Sequence, residues 1–255
     1  MKFAYMVQTE AALPPTFEAL RGNPDVTLIH LSFKEPTLGA IYLPDSTWTE
    51  GRNALLAAAR DHGADFDYYV FCDDDMEFVS GSFAEFNGQL ARLQPAVATP
   101  LYDFAPNKHE EFAAHTVYAF DAMMNAFHRD LITDRIVLPY YAGFDTQSWW
   151  FSQFFVIHLA SVLYPDHVIR LNSIRITNTM SRPYPRNTFD KWDGMERFVC
   201  DEIYADRIFL DERFRHHFDK KSEVPRDPIK PLRTYRLDDD MKAKLNLAGP
   251  FWANR

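Results

Sequence analysis

Apolar and polar positions along the first hundred residues separate predicted strands from predicted helices. Short runs rich in β-branched and aromatic residues predict buried strands, and they occupy residues 2–8, 26–33, 67–72 and 95–102. Between the last two runs, apolar residues recur at helical spacing from Phe83 to Leu93. Because strand and helix alternate, the sequence predicts an α/β fold with a mostly parallel central sheet flanked by helices.

One predicted helix has recognisable boundaries. Thr47 and Glu50 have the spacing of a capping box, in which each side chain binds the other residue's backbone N–H. A run rich in Ala and Leu continues to Arg60, and Gly63 stands where a C-terminal cap belongs. We therefore expect a helix that begins after Thr47 and ends before Gly63.

The pattern is less regular beyond residue 115. Residues 116–127 fit either a strand or a short helix, and residues 144–164 predict a long buried helix. Residues 167–177 indicate a β-hairpin or paired strands, and residues 190–218 indicate a helix, either continuous or broken once.

Prolines recur at every third position from Pro225 to Pro231, which favours an extended chain. We therefore expect one domain over residues 1–220. Residues 221–255 would form a Pro-containing C-terminal extension packed on that domain.

Composition narrows the class of function. The 255 residues include 27 Lys plus Arg and 36 Asp plus Glu, a net charge of −9, which argues against a nucleic-acid partner because phosphate binding needs a positive face. The 9 glycines form neither G-x-G-x-x-G nor a P-loop, in which glycine lets backbone N–H groups approach phosphate. A nucleotide site in this chain would need another way to bind phosphate.

No targeting or membrane-spanning segment is predicted. The apolar run at the N-terminus is too short for a signal peptide, and Gln153 and His158 interrupt the most apolar window, residues 149–164. Cys72 and Cys200 are expected to be free thiols in a reducing compartment, with a disulfide between them as the alternative. We predict a cytoplasmic protein, for which weak association with a membrane surface stays open.

Three consecutive aspartates follow the third predicted strand: Asp73, Asp74 and Asp75. In an open parallel sheet, ligands bind at the carboxyl ends of the strands. Three carboxylates repel one another, and Mg²⁺ or Mn²⁺, which prefers oxygen ligands, would offset them and bridge the phosphates of a nucleotide diphosphate. A solvated turn is the alternative. The second copy of DDDM, at residues 238–241, precedes a helical pattern, so Asp238 or Asp239 is expected to be a helix N-cap.

These features resemble the glycosyltransferases of the GT-A fold over about residues 1–180. TEGRN (49–53) opens the predicted helix, and the three aspartates match the Asp-x-Asp motif of that family. The resemblance implies a single GT-A-like, Rossmann-like domain and an Mn²⁺- or Mg²⁺-dependent glycosyltransferase. The donor would be a uridine or thymidine diphosphate sugar, and the acceptor would be a carbohydrate hydroxyl.

The resemblance also implies roles for individual residues. In the family, the end of the first strand meets the nucleobase, the Arg-Asn of the following helix lies near the Asp motif, and a later loop closes over the diphosphate. The implied donor-binding residues are Gln8, Thr9, Arg52, Asp73, Asp74, Arg182 and Arg186, and the implied metal ligands are Asp73 and Asp75. A solvated basic loop is the alternative for the two last arginines, although the guanidinium fork suits phosphate oxygens.

The segment LPYYAGFDTQSWWFSQ (138–153) resembles the one that carries the catalytic base of inverting GT-A enzymes. Asp145 would be the base, although the family often has two adjacent acidic residues where this chain has Phe144 and Asp145. A helix N-cap is the alternative role. Trp149, Trp150 and Tyr141 would offer flat platforms to an acceptor sugar, with core packing as the alternative.

Two other functions stay open. A sugar nucleotidyltransferase usually has a Gly-rich loop with Lys or Arg after the first strand, and QTEAALPPTF (8–17) supplies neither. A non-catalytic carbohydrate- or nucleotide-binding protein of the same fold is the other alternative. HEEFAAH (109–115) does not match a metalloprotease site, because its histidines are six residues apart rather than four.

Overall fold

The predicted alternation of strands and helices is present in the computed structural model, which describes residues 1–103, 109, 111–180, 197–212 and 234–253. The strands are β1 (Phe3–Thr9), β2 (Val26–Ser32), β3 (Ile41–Tyr42), β4 (Tyr68–Asp73), β5 (Met76–Ser80), β6 (Val97–Tyr102), β7 (Ala114–Thr116), β8 (Met124–His128) and β9 (Val168–Asn178). The α-helices are α1 (Trp48–Asp61), α2 (Phe83–Leu93), α3 (Arg129–Thr133), α4 (Trp149–Leu163), α5 (Asp239–Ala243) and α6 (Pro250–Ala253). Shorter helical turns are the 3₁₀-helices Pro15–Leu20 and Ala142–Phe144 and the π-helix Val199–Ile203.

These strands form one sheet in the order β3-β2-β1-β4-β8-β6-β9-β5, with β7 paired to β9. The four neighbouring strands β3, β2, β1 and β4 pair in parallel, as do β6 and β9. β8 lies antiparallel between β4 and β6, and β5 and β7 are antiparallel to β9. The predicted α/β class, a central sheet flanked by helices, is confirmed.

Strand β1 is buried on both faces of the sheet. Ala4 and Met6 pack in the core that contains α1 and α4, whereas Tyr5 and Val7 pack in the core that contains α2. Helix layers on both faces explain why β1 is apolar at almost every position rather than at every second one. Its parallel register with β4 places Gln8 next to Asp73 at the carboxyl ends of the two strands.

Helix α1 begins and ends where the sequence predicts. The capping box is present, because the Thr47 hydroxyl accepts from the backbone N–H of Glu50 and the Glu50 carboxylate accepts from that of Thr47. Gly63 follows the C-cap His62 with a φ of +76°, a left-handed conformation that glycine adopts without steric cost. Local signals therefore set both ends of the helix.

Two predictions for the second half need correction. The helix predicted from residue 144 begins at Trp149, because Ser148 is its N-cap and residues 142–144 form a separate 3₁₀ turn. Residues 167–177 do not form a hairpin or paired strands. Residues 168–177 all lie within the single strand β9, in which the residue paired with β6 jumps from Leu171 to Arg175 at a bulge. Of the two alternatives for residues 116–127, the strand is present, because they contain the last residue of β7 and most of β8 and no helix.

Residues 234–253 pack against the sheet and its helices. The backbone N–H of Tyr235 donates to Asp130 Oδ2 at 2.7 Å, and Leu245 forms a β-bridge with Tyr204. The second DDDM copy has the predicted structural role, since Asp238 Oδ1 accepts from the backbone N–H of Met241 at 2.8 Å. Residues 213–233, which include the boundary at 220 and the proline series, lie outside the described residues, so that boundary stays a prediction.

None of the helices in the described part of the chain combines the length and the apolar character needed to cross a membrane.

Candidate functional site

A buried arginine of α1 meets the first aspartate of the Asp-x-Asp segment. Arg52 is only 2% exposed, and its Nη2 donates to Asp73 Oδ1 at 2.5 Å and to the carbonyl of Ala122 at 3.0 Å. Its Nη1 donates to the hydroxyl of Tyr140 at 3.3 Å. Burial opposes the charged form, but Tyr140 and Asp73 together raise the pKa of Arg52. The guanidinium is therefore a fixed positive charge beside Asp73.

Aromatic rings hold this guanidinium in place. The Arg52 Cζ lies 4.2 Å from the ring centroid of Trp48, 5.3 Å from that of Phe71 and 5.8 Å from that of Tyr140. A guanidinium over aromatic faces is stabilised by cation–π attraction, which is strongest where water is excluded. Asp73 by contrast keeps 27% of its side chain exposed, so the pair has one face open to a ligand.

Gln8 and Thr9 end β1 beside this pair, as predicted. Gln8 Nε2 lies 3.4 Å from the carbonyl of Thr47, and Gln8 Oε1 is buried without a hydrogen-bond partner among the described residues. A Cβ on Gly51 would lie 2.3 Å from the Gln8 amide, so the glycine in α1 makes room for that side chain. The structure thus brings Gln8, Arg52 and Asp73 together.

A histidine that the sequence analysis missed fixes the orientation of Thr9. The Thr9 hydroxyl donates to the carbonyl of Ala11 at 2.6 Å and lies 2.7 Å from His30 Nε2. Because a hydroxyl has one proton, His30 Nε2 is the donor in the second bond. Burial lowers the pKa of His30, which favours this neutral ring. His30 lies on β2, and nothing in its local sequence indicates this contact.

The candidate base Asp145 is tied to the start of α1. The Thr47 hydroxyl donates to Asp145 Oδ2 at 2.5 Å, and the Ser152 hydroxyl lies 3.4 Å from Asp145 Oδ1. The alternative role as N-cap of α4 is wrong, because Ser148 accepts from the N–H of Trp150 in that position. The N-cap of α1 therefore binds Asp145, and Arg52 lies in the second turn of the same helix. Catalysis by Asp145 stays a prediction.

The three proposed acceptor residues have different surroundings. Trp149 lies 4.7 Å from the ring of Trp48 and 5.5 Å from that of Trp150, beside the aromatic group around Arg52. Tyr141 instead stacks on Phe198 at 5.3 Å within the aromatic core. Trp149 therefore lies beside the aromatic group around Arg52, whereas Tyr141 belongs to the aromatic core.

Asp121 is an acidic residue of the site that the sequence analysis missed. Its Oδ1 accepts from the N–H of Met123 at 3.0 Å, and the carbonyl of Met123 accepts from the N–H of Asp73 at 2.8 Å. Burial, and then the negative charge of Asp73, raises the pKa of Asp121 to about 6. The antiparallel pairing of β8 with β4 brings this residue to the site. The sequence around a single aspartate does not indicate which strands will pair.

Of the other predicted donor-site residues, the structure describes Asp74 and Asp75. Asp74 and Asp75 lie in the turn between β4 and β5, where the Asp75 carbonyl accepts from Thr179 N–H at 2.8 Å. Within the described ranges, no group of three or more His, Cys, Asp or Glu side chains is arranged to hold a metal ion. Arg182 and Arg186 lie outside the described residues.

Comparison with known proteins gives a likeness in fold. No family model and no curated protein sequence matches the chain. The fragment 1–349 of S. aureus TarS in complex with UDP matches at a TM-score of 0.54 and 11% identity, over 86% of this chain and 71% of that one. The same fragment in a second structure matches at 0.53 and 12%, over 87% and 73%.

The chain shares the fold of TarS. This likeness supports the predicted glycosyltransferase type of fold, and at 11–12% identity it concerns the fold alone.

Proposed function

We propose that this chain is a glycosyltransferase that moves a sugar from a uridine diphosphate sugar to an acceptor hydroxyl. The observation that carries the proposal is the ion pair between the buried Arg52 and the partly exposed Asp73, at the carboxyl ends of β1 and β4. Ligands of open α/β sheets bind at that edge. The fold shared with a UDP-bound protein makes a uridine nucleotide the favoured donor.

Gln8 and Thr9 would meet the nucleobase, and Asp73 the ribose or the metal. The unsatisfied Oε1 of Gln8 suits a base N–H, because an amide oxygen accepts up to two hydrogen bonds. Arg52 would hold Asp73 in one orientation before the donor arrives. Such preorganisation reduces the cost of ordering the site during binding.

Mg²⁺ or Mn²⁺ fits the residues that are present. Arg52 occupies Asp73 Oδ1, which leaves Oδ2 for a cation, and Asp75 would be the second protein ligand. Because Mg²⁺ is usually bound by one or two carboxylates together with substrate phosphates and waters, a site with fewer than three acidic ligands is suitable. When bound, the cation would neutralise charge on the departing diphosphate.

Asp145 would act as the general base in a single displacement with inversion. The acceptor oxygen forms a bond to the anomeric carbon while the bond from that carbon to the diphosphate oxygen breaks. The electron pair leaves with the diphosphate, and the acceptor proton passes to Asp145. Thr47 already donates to Oδ2, so Oδ1 is the oxygen that would take the proton.

Screening uridine diphosphate sugars for UDP release, with Mn²⁺ and with or without simple sugar acceptors, tests this function. We expect slow donor hydrolysis by the wild type and faster release with a suitable acceptor. Asp145→Asn should lose transfer and keep its affinity for UDP. Binding of UDP without any turnover would instead indicate a non-catalytic binding protein, and no binding would contradict the proposal.

A further inference from the structure

Five aromatic rings form a cluster beneath the segment that carries Asp145: Tyr141, Phe144, Phe155, Phe198 and Phe251. The ring of Tyr141 is stacked on Phe198 at 5.3 Å and 10°, and the ring of Phe251 meets it edge-on at 5.0 Å. Phe251 is 8% exposed and belongs to the short C-terminal helix α6. The C-terminal part of the chain therefore completes the packing around Tyr141.

Tyr141 is connected to Asp145 through short contacts. The hydroxyl of Ser152 donates to the Tyr141 carbonyl at 2.7 Å and lies 3.4 Å from Asp145 Oδ1. The ring of Phe144, the neighbour of Asp145, lies 5.2 Å from that of Tyr141. A shift of the Tyr141 ring would thus be transmitted to the Asp145 carboxylate through side-chain and backbone contacts.

The loop between these residues has no spare room. A Cβ on Gly143 would lie 2.3 Å from Tyr141 Cζ and 2.4 Å from its hydroxyl oxygen. The Tyr141 ring cannot give way easily, because Phe198 and Phe251 pack against it. The backbone of the loop is consequently pressed against a ring that the C-terminal helix holds in place.

The C-terminal helix is itself anchored. Trp252 Nε1 lies 3.4 Å from the carbonyl of Ile203, and the N–H of Asn246 donates to the same carbonyl at 2.9 Å. Phe251 also contacts Phe155 of α4 at 5.4 Å. The ring of Phe251 is therefore fixed against both the π-helix region and the helix that follows Asp145.

We propose that Phe251 is a positioning residue that sets the orientation of Asp145 from the C-terminal end of the chain. The inference rests on the proposed function, in which Asp145 is the base. Misplacing a catalytic group by about 1 Å can cost about 100-fold in rate, so a packing residue that never touches the substrate can affect turnover.

The test compares Phe251→Ala, Phe251→Leu and a matched control, Leu237→Ala. Leu237 is 7% exposed in the same C-terminal stretch, but its backbone N–H is bonded to Asp134. Amide hydrogen exchange of residues 145–148 is measured together with kcat and the UDP dissociation constant. Gly143→Ala displaces the ring of Tyr141 through a clash with the new Cβ and leaves Phe251 itself unchanged.

We expect Phe251→Ala and Gly143→Ala to speed exchange at residues 145–148 and to lower kcat about 10- to 100-fold, with UDP affinity unchanged. Phe251→Leu should keep most of the wild-type kcat and most of the protection from exchange at residues 145–148. Leu237→Ala should change neither kcat nor exchange. Unchanged exchange in Phe251→Ala and Gly143→Ala, or an equal loss of kcat in Leu237→Ala, would overturn the inference. Failure of the proposed function can be told apart from failure of this inference. If the proposed function is wrong, the wild type itself transfers no sugar, while the exchange measurements still show whether Phe251 positions residues 145–148.

Discussion

The buried Arg52 of α1 forms an ion pair with the partly exposed Asp73 of β4, with 2.5 Å between Nη2 and Oδ1. The two residues are 21 positions apart in the chain, and the parallel pairing of β4 with β1 brings the aspartate to the edge where Gln8 also ends its strand. The pair thus links the stability of the fold to the chemistry of the site.

Replacing Arg52 should lower the free energy of unfolding. Arg52→Ala removes a guanidinium that is 2% exposed and leaves Asp73 without its ion-pair partner. Breaking a buried pair costs about 3–5 kcal/mol, and since Asp73 is 27% exposed we expect a loss of about 2–3 kcal/mol in the free energy of unfolding. Urea unfolding measures it. Arg60→Ala, an exposed position on the same helix, should change stability by less than about 0.5 kcal/mol, and equal midpoints for the two variants would contradict the role of the pair.

Two helix glycines should respond oppositely to alanine. Gly51→Ala places a Cβ 2.3 Å from the Gln8 amide, whereas a Cβ on Gly88 of α2 meets nothing within 4 Å. We expect Gly51→Ala to displace Gln8 and weaken UDP binding, measured by calorimetry. Gly88→Ala should stabilise the protein by about 0.5–1 kcal/mol, because alanine favours the helix, and should leave UDP binding unchanged. Equal UDP affinity in the two variants would show that Gln8 does not contribute to nucleotide binding.

Asp121 should make stability depend on pH. Burial and the charge of Asp73 raise its pKa from 3.8 to about 6, so the folded protein holds this proton more tightly than the unfolded chain does. Its contribution to stability is fully present below about pH 4 and is lost as the pH rises through about 6, by about 3 kcal/mol in total.

Urea unfolding between pH 4 and pH 8 measures that loss. Asp121→Asn should flatten the decrease, whereas Asp240→Asn, on the exposed start of α5, should follow the wild type. Parallel curves for Asp121→Asn and the wild type would show that the aspartate titrates normally.

Local signals in the sequence predicted the elements that hold Arg52 and Asp73. The capping box at Thr47 and the apolar run before Asp73 depend on neighbouring residues, and both features are present in the structure. The N-cap role of Asp238, inferred from the helical pattern after it, is present as well.

Contacts between distant residues could not be predicted in the same way. Asp121 reaches the site only because β8 inserts antiparallel between β4 and β6, and no local pattern records a strand's partners. The bulge that keeps β9 continuous likewise arises from its pairing with β6. The packing of Phe251 on Tyr141 joins residues 110 positions apart, and hydrophobicity alone does not specify which rings meet.

The most direct test of the account is calorimetric titration with UDP, with and without Mn²⁺, of the wild type, Asp75→Asn and Asp240→Asn. The two variants remove the same charge from the two DDDM copies, of which only the first lies at the carboxyl end of a buried strand. We predict Mn²⁺-dependent UDP binding by the wild type and Asp240→Asn, and at least a tenfold weaker affinity, about 1.4 kcal/mol, for Asp75→Asn. Identical UDP affinities for all three proteins, or no UDP binding by the wild type, would contradict it.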